Sequence, residues 1–515
     1  MNSGTMIRIS LVCLIFCGLL FNPYSFAVSD HTYQIPFLKS IFQPNLYLRD
    51  LTVSMKNYYS TFFYVFVWLL KQLFGFKLAF FIIYLFTQIV FFLSIYLIAS
   101  TLFKEKLVGL ISLGFLIFPQ NVLGGISTFD SIVEPRTTAV VLILFAVYLL
   151  LIDRNIWAAV FLSLALNIHF ITFIDQALFL MIAFLINYLL CQDKIQLLKK
   201  YRLFSFVLFL GSLPILVKGI FLSPPRSSFT IVDPVWLKMI LIRSSHHFYP
   251  DHKMFLSFIF EALLILIFLV GLKVFYKKSV RQAVIIYISS MASMLFGYFL
   301  ACIFINYFPV LLGIQLSFFR ASYMFVIFSY IVCAYIFYTI IQQISSRLAM
   351  GSKKLFLLLL LFLIFISSLF FYHRERILIG NPFKDVNNAN IDAQKWLKVH
   401  TTKDALILTP PYEEDFRIFS ERSTLGSWKD WTYNCLSRDF AFSMFERLHD
   451  VGNISLVSTV NNGNDQIKSY YLNLKEDSLA KIAARYKVDY IVMERLNPLA
   501  FKKVYENDRY FIYKI

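Results

Sequence analysis

Apolar residues along most of this chain do not alternate with polar ones; they come in runs. Before His373 these runs repeatedly approach the ~20 residues that a bilayer core requires of a spanning helix. They fall near 6–24, 76–103, 107–121, 137–152, 156–171, 173–190, 203–222, 254–275, 283–304, 321–341 and 355–372. The pattern predicts a polytopic α-helical membrane protein with about eleven transmembrane helices, over residues 1–375. Tyr58–Phe74 is apolar but short and carries Lys71 near its end, so it predicts an interfacial or partly inserted helix. Met6–Phe21, with Arg8 near its start and Ser25-Phe26-Ala27 after it, fits either a cleaved signal peptide or a retained first helix.

Beyond Asn381 the pattern changes to that of a soluble domain, 384–515. Ile391–His400 predicts a helix with Ala393, Trp396 and Leu397 on one side. Ala405–Thr409 predicts a buried strand stopped by Pro410-Pro411, and Phe416–Phe419 a second strand. Leu436–Leu448 and Ser478–Tyr486 predict helices, the latter capped by Asp477 or Ser478. Val488–Met493 predicts a strand and Tyr510–Tyr513 an edge strand. Such alternation predicts a small α/β sandwich.

Charge gives the helices a direction. One set of connections holds Lys104 and Lys106, Arg154, Lys194 to Arg202, Lys273 to Arg281, and Arg347 to Lys354. The alternate set holds Asp50, Asp130, Glu134, Asp233 and Asp251, with fewer bases. The basic set is expected in the cytoplasm. That places the N-terminus inside and loops 25–57, 122–136, 223–252 and 305–319 outside, and delivers the C-terminal α/β domain to the extracytoplasmic side.

Composition then excludes several classes. The 515 residues are 59% hydrophobic and 15% charged, far from a soluble chain. The net charge of +18 would suggest nucleic acid in a soluble protein, but here the basic loops explain much of the excess and no nucleic-acid partner is expected. Of six cysteines only Cys435 lies in the C-terminal domain, so that domain has no internal disulfide. No Walker loop, GxGxxG, HExxH or GxSxG motif points to a nucleotide, a zinc protease or a serine hydrolase.

Polar residues at the outer helix ends are the candidates for chemistry, because charge at membrane depth must be paired or face water. The first outer loop carries His31 and the pair Arg49-Asp50, a carboxylate with a cation beside it: a general base, or a solvated ion pair. The second reads Gly124-Gly125, Asp130 and Glu134-Pro135-Arg136 before a span: a headgroup contact, or a cap with a snorkelling Arg. His169 lies at an outer helix end with Asp175 after it, and Glu261 lies inside a span. Arg243, His246 and His247 form a basic cluster suited to a phosphate, since guanidinium forks match phosphate oxygens. Arg320 opens a span from outside, as a further phosphate contact or an anchor.

These features together resemble the GT-C class of membrane glycosyltransferases, which use polyprenyl-phosphate sugar donors. Tyr58–Phe103 looks like their interfacial helix and second span. Leu479–Lys481, Lys487–Val492 and Val504–Asn507 look like their C-terminal domains. A closer likeness is to an uncharacterised bacterial GT-C-like subgroup, carried by Pro44–Asp50, Glu134-Pro135-Arg136, Arg243 with His246-His247, and Asp404–Arg422. The resemblance implies an inner-membrane enzyme that transfers a hexosyl or pentosyl group, with inversion, to an envelope glycan, lipid or protein acceptor on the outer face. Asp50 would be its catalytic base. Arg243, His246 and Arg320 would hold the lipid phosphate, with His31, Asp130, Glu134, Arg136, His169 and His247 lining the substrate site. The loop after the first run also favours a retained helix. A divalent metal ion stays open, because Asp50 stands beside Arg49 where many members set two acidic residues together. The rival readings are a flippase or transporter of lipid-linked substrates, and a non-catalytic envelope protein on the same scaffold.

Overall fold

The computed structural model describes residues 3–59, 61–222, 229–248, 259, 262–266, 271, 281–347, 389–458, 460–496 and 498–515. The expected span near 355–372, most of the one near 254–275, Asp251 and Glu261, and the side chain of His246 lie outside the described residues. Among the described residues six helices are long and apolar enough to cross a membrane: Gly4–Phe21, Phe63–Phe103, Phe170–Leu190, Lys194–Val217, Arg281–Asn306 and Leu311–Ser346. The chain is thus a multi-pass membrane protein with a small C-terminal sheet.

The helices run α1 (Ser3–Phe21), α2 (His31–Phe42), α3 (Leu51–Ser54), α4 (Phe63–Phe103), α5 (Lys106–Phe115), α6 (Pro135–Leu151), α7 (Asn155–Ile168), α8 (Phe170–Leu190), α9 (Lys194–Val217) and α10 (Pro234–Ser244). Gly75 breaks α4 with φ 75° and ψ 166°, so a short first segment turns into the long Phe76–Phe103 span at the position the sequence suggested. The first segment leaves Val65, Phe66, Leu69 and Leu73 exposed along one side, as an interfacial helix does. Three expected spans, 107–121, 137–152 and 156–171, are the shorter helices α5, α6 and α7. Helix α6 is buried over most of its surface, which explains its nearly all-apolar sequence after Thr138.

Adjacent helices alternate in direction. The connections at Lys104–Lys106, Asp153-Arg154 and Cys191–Lys194 share one end of the bundle, where Lys200 pairs with Asp153 at 2.6 Å. The first loop, the two-residue strands β1 (Asn121–Val122) and β2 (Ile126–Ser127), the α7–α8 break and residues 311–322 share the other end.

There the C-terminal domain packs. Its strands are β3 (Leu406–Leu408), β4 (Ser423–Thr424), β5 (Tyr490–Glu494), β6 (Lys502–Glu506) and β7 (Tyr510–Lys514), in the order β4-β3-β5-β7-β6. The β4-β3-β5 part is parallel, and β7 runs antiparallel to both β5 and β6. Register sorts the faces: Ile491 opposes Tyr513 and Met493 opposes Phe511 on one side, while Val492 opposes Ile512 on the other. The first side packs on the helices Arg438–Gly452, Val460–Leu472 and Glu476–Tyr486, the second on Ala389–His400.

Three expectations are corrected here. Phe416–Ser420 is one helical turn, not a strand, because Arg417 must turn inward to two carboxylates. Tyr510–Lys514 is an inner strand, covered by β6, whose Lys502–Glu506 sequence carries little apolar signal. The helix from Glu476 is capped at Lys475, without a side-chain bond from Asp477 or Ser478.

The domain does not hang free. Ile418, Trp428, Trp431, Tyr433, Phe440 and Met444 share one core with Tyr33, Phe37, Tyr47, Phe63 and Trp236. Polar ties cross the same boundary: Lys39 to Glu421 (2.7 Å), Arg49 to Asp489 (2.6 Å), Trp236 Nε1 to the Asn434 carbonyl (2.7 Å) and Gln315 Nε2 to the Cys435 carbonyl (2.8 Å).

Candidate functional site

Where the bundle, the first loop and the C-terminal domain meet there is one cavity of about 920 Å³. Its wall takes Asp30, Tyr33 and Gln34 from the start of α2, Gly125–Ser127 from the small hairpin, and Asp130, Glu134 and Arg136 from the approach to α6. It takes His169 from the α7–α8 break, Arg243 and His247 from the end of α10 and the turn after it, Arg320 from the turn after 316, and Lys429 and Tyr433 from the C-terminal domain. Seven residues singled out in the sequence, Asp130, Glu134, Arg136, His169, Arg243, His247 and Arg320, therefore line one space.

The acidic side is organised by two cations. Arg136 Nη2 donates to Asp130 Oδ2 and Glu134 Oε2, each at 2.8 Å. Pro135 opens α6 behind Glu134, whose own N–H donates to Thr137 Oγ1, so the carboxylate sits at a helix N-terminus. Burial pushes the Glu134 carboxyl up to about 8, with Asp30 and Asp130 adding to it and Arg136 opposing. Burial and Asp30 raise Asp130 as well, again against Arg136. Asp30 behaves differently. It precedes α2 but makes no capping bond, and its Oδ1 lies 3.0 Å from Lys429 Nζ. Burial alone would raise its pKa; Lys429 and the Tyr33 hydroxyl outweigh that and hold it below the ordinary carboxylate range.

The cationic side has no such neutralisation. Arg243 is 8% exposed, donates through Nε to the Trp428 carbonyl at 2.9 Å, and stacks its guanidinium 5.4 Å from the Trp428 ring. Arg320 presents Nη2 3.4 Å from His247 Nε2, and its buried Nε has no hydrogen-bond partner among the described residues. His247 Nδ1 is 2.6 Å from the Gly124 carbonyl, so that nitrogen carries the proton and Nε2 faces Arg320 as acceptor. No carboxylate lies within ion-pair distance of Arg243 or Arg320 among the described residues. Gly124, at φ +87°, is held tight against this arginine: a Cβ there would come 2.9 Å from Arg320 Cγ.

His169 caps α8, its Nδ1 accepting the Thr172 N–H at 3.1 Å. The proton is therefore on Nε2, and burial, helped by Arg320 and Arg136, pushes its pKa down to about 3. The ring is a neutral donor at the cavity wall. His31 is placed behind the wall instead. Nδ1 accepts from the Ala27 N–H at 3.2 Å and Nε2 donates to the Val133 carbonyl at 3.0 Å, and burial lowers its pKa to about 4. Both nitrogens are used in joining the first loop to the second.

Asp50 stands apart from this space. It is not among the lining residues. Its side chain is fully buried. Oδ1 accepts the Val53 N–H at 3.0 Å, and Oδ2 accepts Arg417 Nε at 2.6 Å and the Thr424 N–H at 2.9 Å. Arg417 also grips Asp430 through Nη1 and Nη2 at 2.7 and 2.6 Å. A carboxylate so enclosed fastens the first loop to the C-terminal domain and cannot reach an acceptor hydroxyl. The partner beside it in sequence, Arg49, points to Asp489 instead.

Sequence reasoning missed Asp30, Lys429, Tyr33 and Tyr433. Only Asp30 left a local trace, as the first acidic residue after the first helix and immediately before His31. Among the described residues no three His, Cys, Asp or Glu side chains gather as a metal-binding group.

Comparison with known proteins gives likenesses of two kinds, to a family model and to solved structures. Residues 389–437, which include Arg417 and Lys429, match the model of a domain of unknown function, DUF6798. A crystal structure of an oligosaccharyltransferase from Archaeoglobus fulgidus, in complex with Zn and sulfate, is similar to this chain with a TM-score of 0.48 and 14% identity, covering 94% of this chain and 68% of that one. No curated protein matches.

Proposed function

We propose that this protein is a membrane glycosyltransferase that takes a sugar from a polyprenyl-phosphate donor and passes it to an acceptor hydroxyl on the outer face of the bacterial inner membrane. The observation that carries the reading is a cavity in which a first-loop carboxylate, Asp30, is gathered with Arg243 and Arg320, two arginines without a carboxylate partner among the described residues. The cavity lies at the end of the bundle away from the basic connections, which supports an outward-facing site. The GT-C likeness of the sequence supplies the reaction class.

Asp30, rather than Asp50, is the first-loop aspartate that suits a base. In the proposed step the acceptor oxygen attacks the anomeric carbon as its proton passes to Asp30. The bond from that carbon to the phosphate oxygen breaks, and the electron pair leaves with the polyprenyl phosphate. The leaving phosphate gains negative charge as this bond breaks, so Arg243 and Arg320 bind it more tightly in the transition state than in the donor. His169 Nε2–H adds a neutral donor that stays protonated at that nitrogen across physiological pH. Pairing of Arg136 with Asp130 and Glu134 fixes the α6 end of the pocket without adding net positive charge.

The test is genetic and chemical together. Envelope glycans and lipid-linked sugars are compared in cells with and without the protein. Loss is expected to accumulate one polyprenyl-phosphate sugar and to remove one residue from a glycan, lipid or protein. Wild type and Arg485→Ala, a variant of a surface ion pair, are expected to restore the profile; Asp30→Asn and Arg320→Ala are not. Identical profiles with and without the protein would overturn the proposal.

A further inference from the structure

Lys429 is the charged side chain that the C-terminal domain contributes to the cavity wall, where the rest of that domain's lining is Thr432, Tyr433, Cys435 and Leu436. It sits immediately before a short helix, Asp430–Cys435, and its ammonium is directed at Asp30. The backbone that carries it is clamped on every side. The Asp430 carboxylate accepts Ser427 N–H at 2.6 Å and Ser427 Oγ at 2.9 Å while holding Arg417. Trp428 N–H donates to the Pro411 carbonyl at 2.9 Å, and the Trp428 carbonyl takes Arg243. Arg417 is pinned in turn by Asp50. This is far more restraint than a surface lysine needs. Asp30, by contrast, is not engaged as a helix cap, so its orientation is left to side-chain partners.

We infer that Lys429 is a positioning residue for Asp30: the C-terminal domain orients the base and sets the pH at which it can accept a proton, so that the domain completes the reaction site. The inference rests on the reading of Asp30 as base. The groups that face Asp30 are Lys429, Glu414 and the Tyr433 hydroxyl from the C-terminal domain, the Tyr33 hydroxyl from α2, the Tyr59 and Tyr64 hydroxyls before and in α4, Arg136 with Asp130 and Glu134 from the approach to α6, Arg243 from α10, and Arg320. His31, next in the chain, is occupied by backbone groups and stays neutral. Of the cations among the described residues, Lys429 alone is in direct contact; Arg136 is committed to two other carboxylates. Removing the ammonium leaves a partly buried carboxylate with one hydroxyl partner, and such a group takes up a proton more readily.

The experiment reads the protonation of Asp30 directly. Full-length protein in detergent is treated with dicyclohexylcarbodiimide, which reacts with carboxylic acids in their protonated form, over a range of pH. Modification of Asp30 is followed by peptide mass spectrometry. Lys429→Met is expected to move the labelling midpoint of Asp30 upward by about one pH unit or more, a tenfold change in proton affinity. Lys429→Arg is expected to restore it. Lys429→Gln, which keeps the stem and a donor without the charge, reads the same shift should Lys429→Met fail to fold. An unmoved midpoint in Met and Gln variants overturns the inference. The two readings fail separately. A shift at Asp30 with normal glycans in Asp30→Asn removes the base but keeps the contact. No shift, with transfer lost in Asp30→Asn, keeps the base and removes Lys429's part.

Discussion

Asp50→Asn separates the structural account of this residue from a catalytic one. In the folded protein the Asp50 carboxylate accepts three hydrogen bonds and an ion pair is among them. Asparagine keeps one acceptor oxygen. If that oxygen faces Arg417 and Thr424, the NH2 is turned against the Val53 N–H and the α3 cap is lost, at about 1 kcal/mol. If the amide is flipped, its NH2 faces two donors, and a charge-assisted bond worth roughly 1.5–3 kcal/mol is lost. In both orientations Arg417 keeps only Asp430 for its buried charge. Removing one partner of a buried pair costs about 3–5 kcal/mol when nothing else remains; the double grip of Asp430 brings the expected loss to roughly 2–4 kcal/mol. That is a roughly 30- to 1000-fold rise in opening of the contact between the first loop and the C-terminal domain. Hydrogen exchange at the Val53 and Thr424 amides, the donors to Asp50, measures it in the intact protein. The Asp50→Asn and Arg417→Met effects should also be strongly non-additive, since both break one network. Unchanged exchange at both amides, combined with complete loss of sugar transfer, would refute this reasoning and return Asp50 to the role of base.

Gly124→Ala puts a Cβ 2.9 Å from Arg320 Cγ at a backbone φ of +87°, a conformation that costs a non-glycine residue about 1–2 kcal/mol. It is expected to displace Arg320 and weaken binding of a short-chain polyprenyl phosphate about tenfold by titration; wild-type affinity would show that Arg320 does not hold the phosphate. Glu134 has a folded-state pKa above its ordinary value, so its contribution to stability is full at low pH and is lost as pH rises through about 8. Polyprenyl-phosphate binding should weaken over the same rise as a second negative charge appears beside Asp130, and Glu134→Gln should flatten both curves; a parallel decline in the Gln variant counts against it. His169→Ala removes the cap on Thr172 N–H and is expected to cost about 1 kcal/mol, while His169→Asn restores the cap without the Nε2 donor. Transfer rescued by Asn would assign His169 to structure alone.

The sequence made the hydrophobic architecture legible because burial in lipid needs only local length and composition. The division between the short Tyr58–Phe74 run and the Phe76–Phe103 run followed from the same logic, and the structure puts a kink at Gly75 between them. The pocket was legible in part for a related reason: charges at helix ends near a membrane have few places to go, and Glu134, Arg136, His169, Arg243 and Arg320 all face one space. What failed was pairing across long separations. Arg49 beside Asp50 suggests a local ion pair, yet Arg49 reaches Asp489 and Asp50 reaches Arg417. Nothing near Asp50 in the chain announces a buried guanidinium from the far domain. Lys429 lies in a polar stretch with no periodicity, and its meaning appears only when Asp30 is brought to it. The short apolar run Phe416–Phe419 misled for the same reason, since its Arg417 decides the backbone through partners that local pattern does not contain.

These long-range pairs change what counts as a domain here. Composition divides the chain near residue 384, where lipid-facing sequence ends. Packing divides it differently: Trp428, Trp431, Phe440 and Met444 are buried together with the first loop and α10 in one core. A domain built only to bind an acceptor could rest on the bundle through a polar, separable interface of the kind common between domains. This one instead buries aromatic side chains and closes an Asp50–Arg417–Asp430 network at the boundary, beside the residue that meets Asp30. Buried charge of this kind adds little net stability for what it costs to desolvate, but it tolerates few alternative geometries. Its effect is to fix where the 427–430 turn lies relative to the first loop. The sheet and outer helices of the C-terminal domain are therefore free to vary their exposed surface, while the turn that reaches the cavity is held in one place.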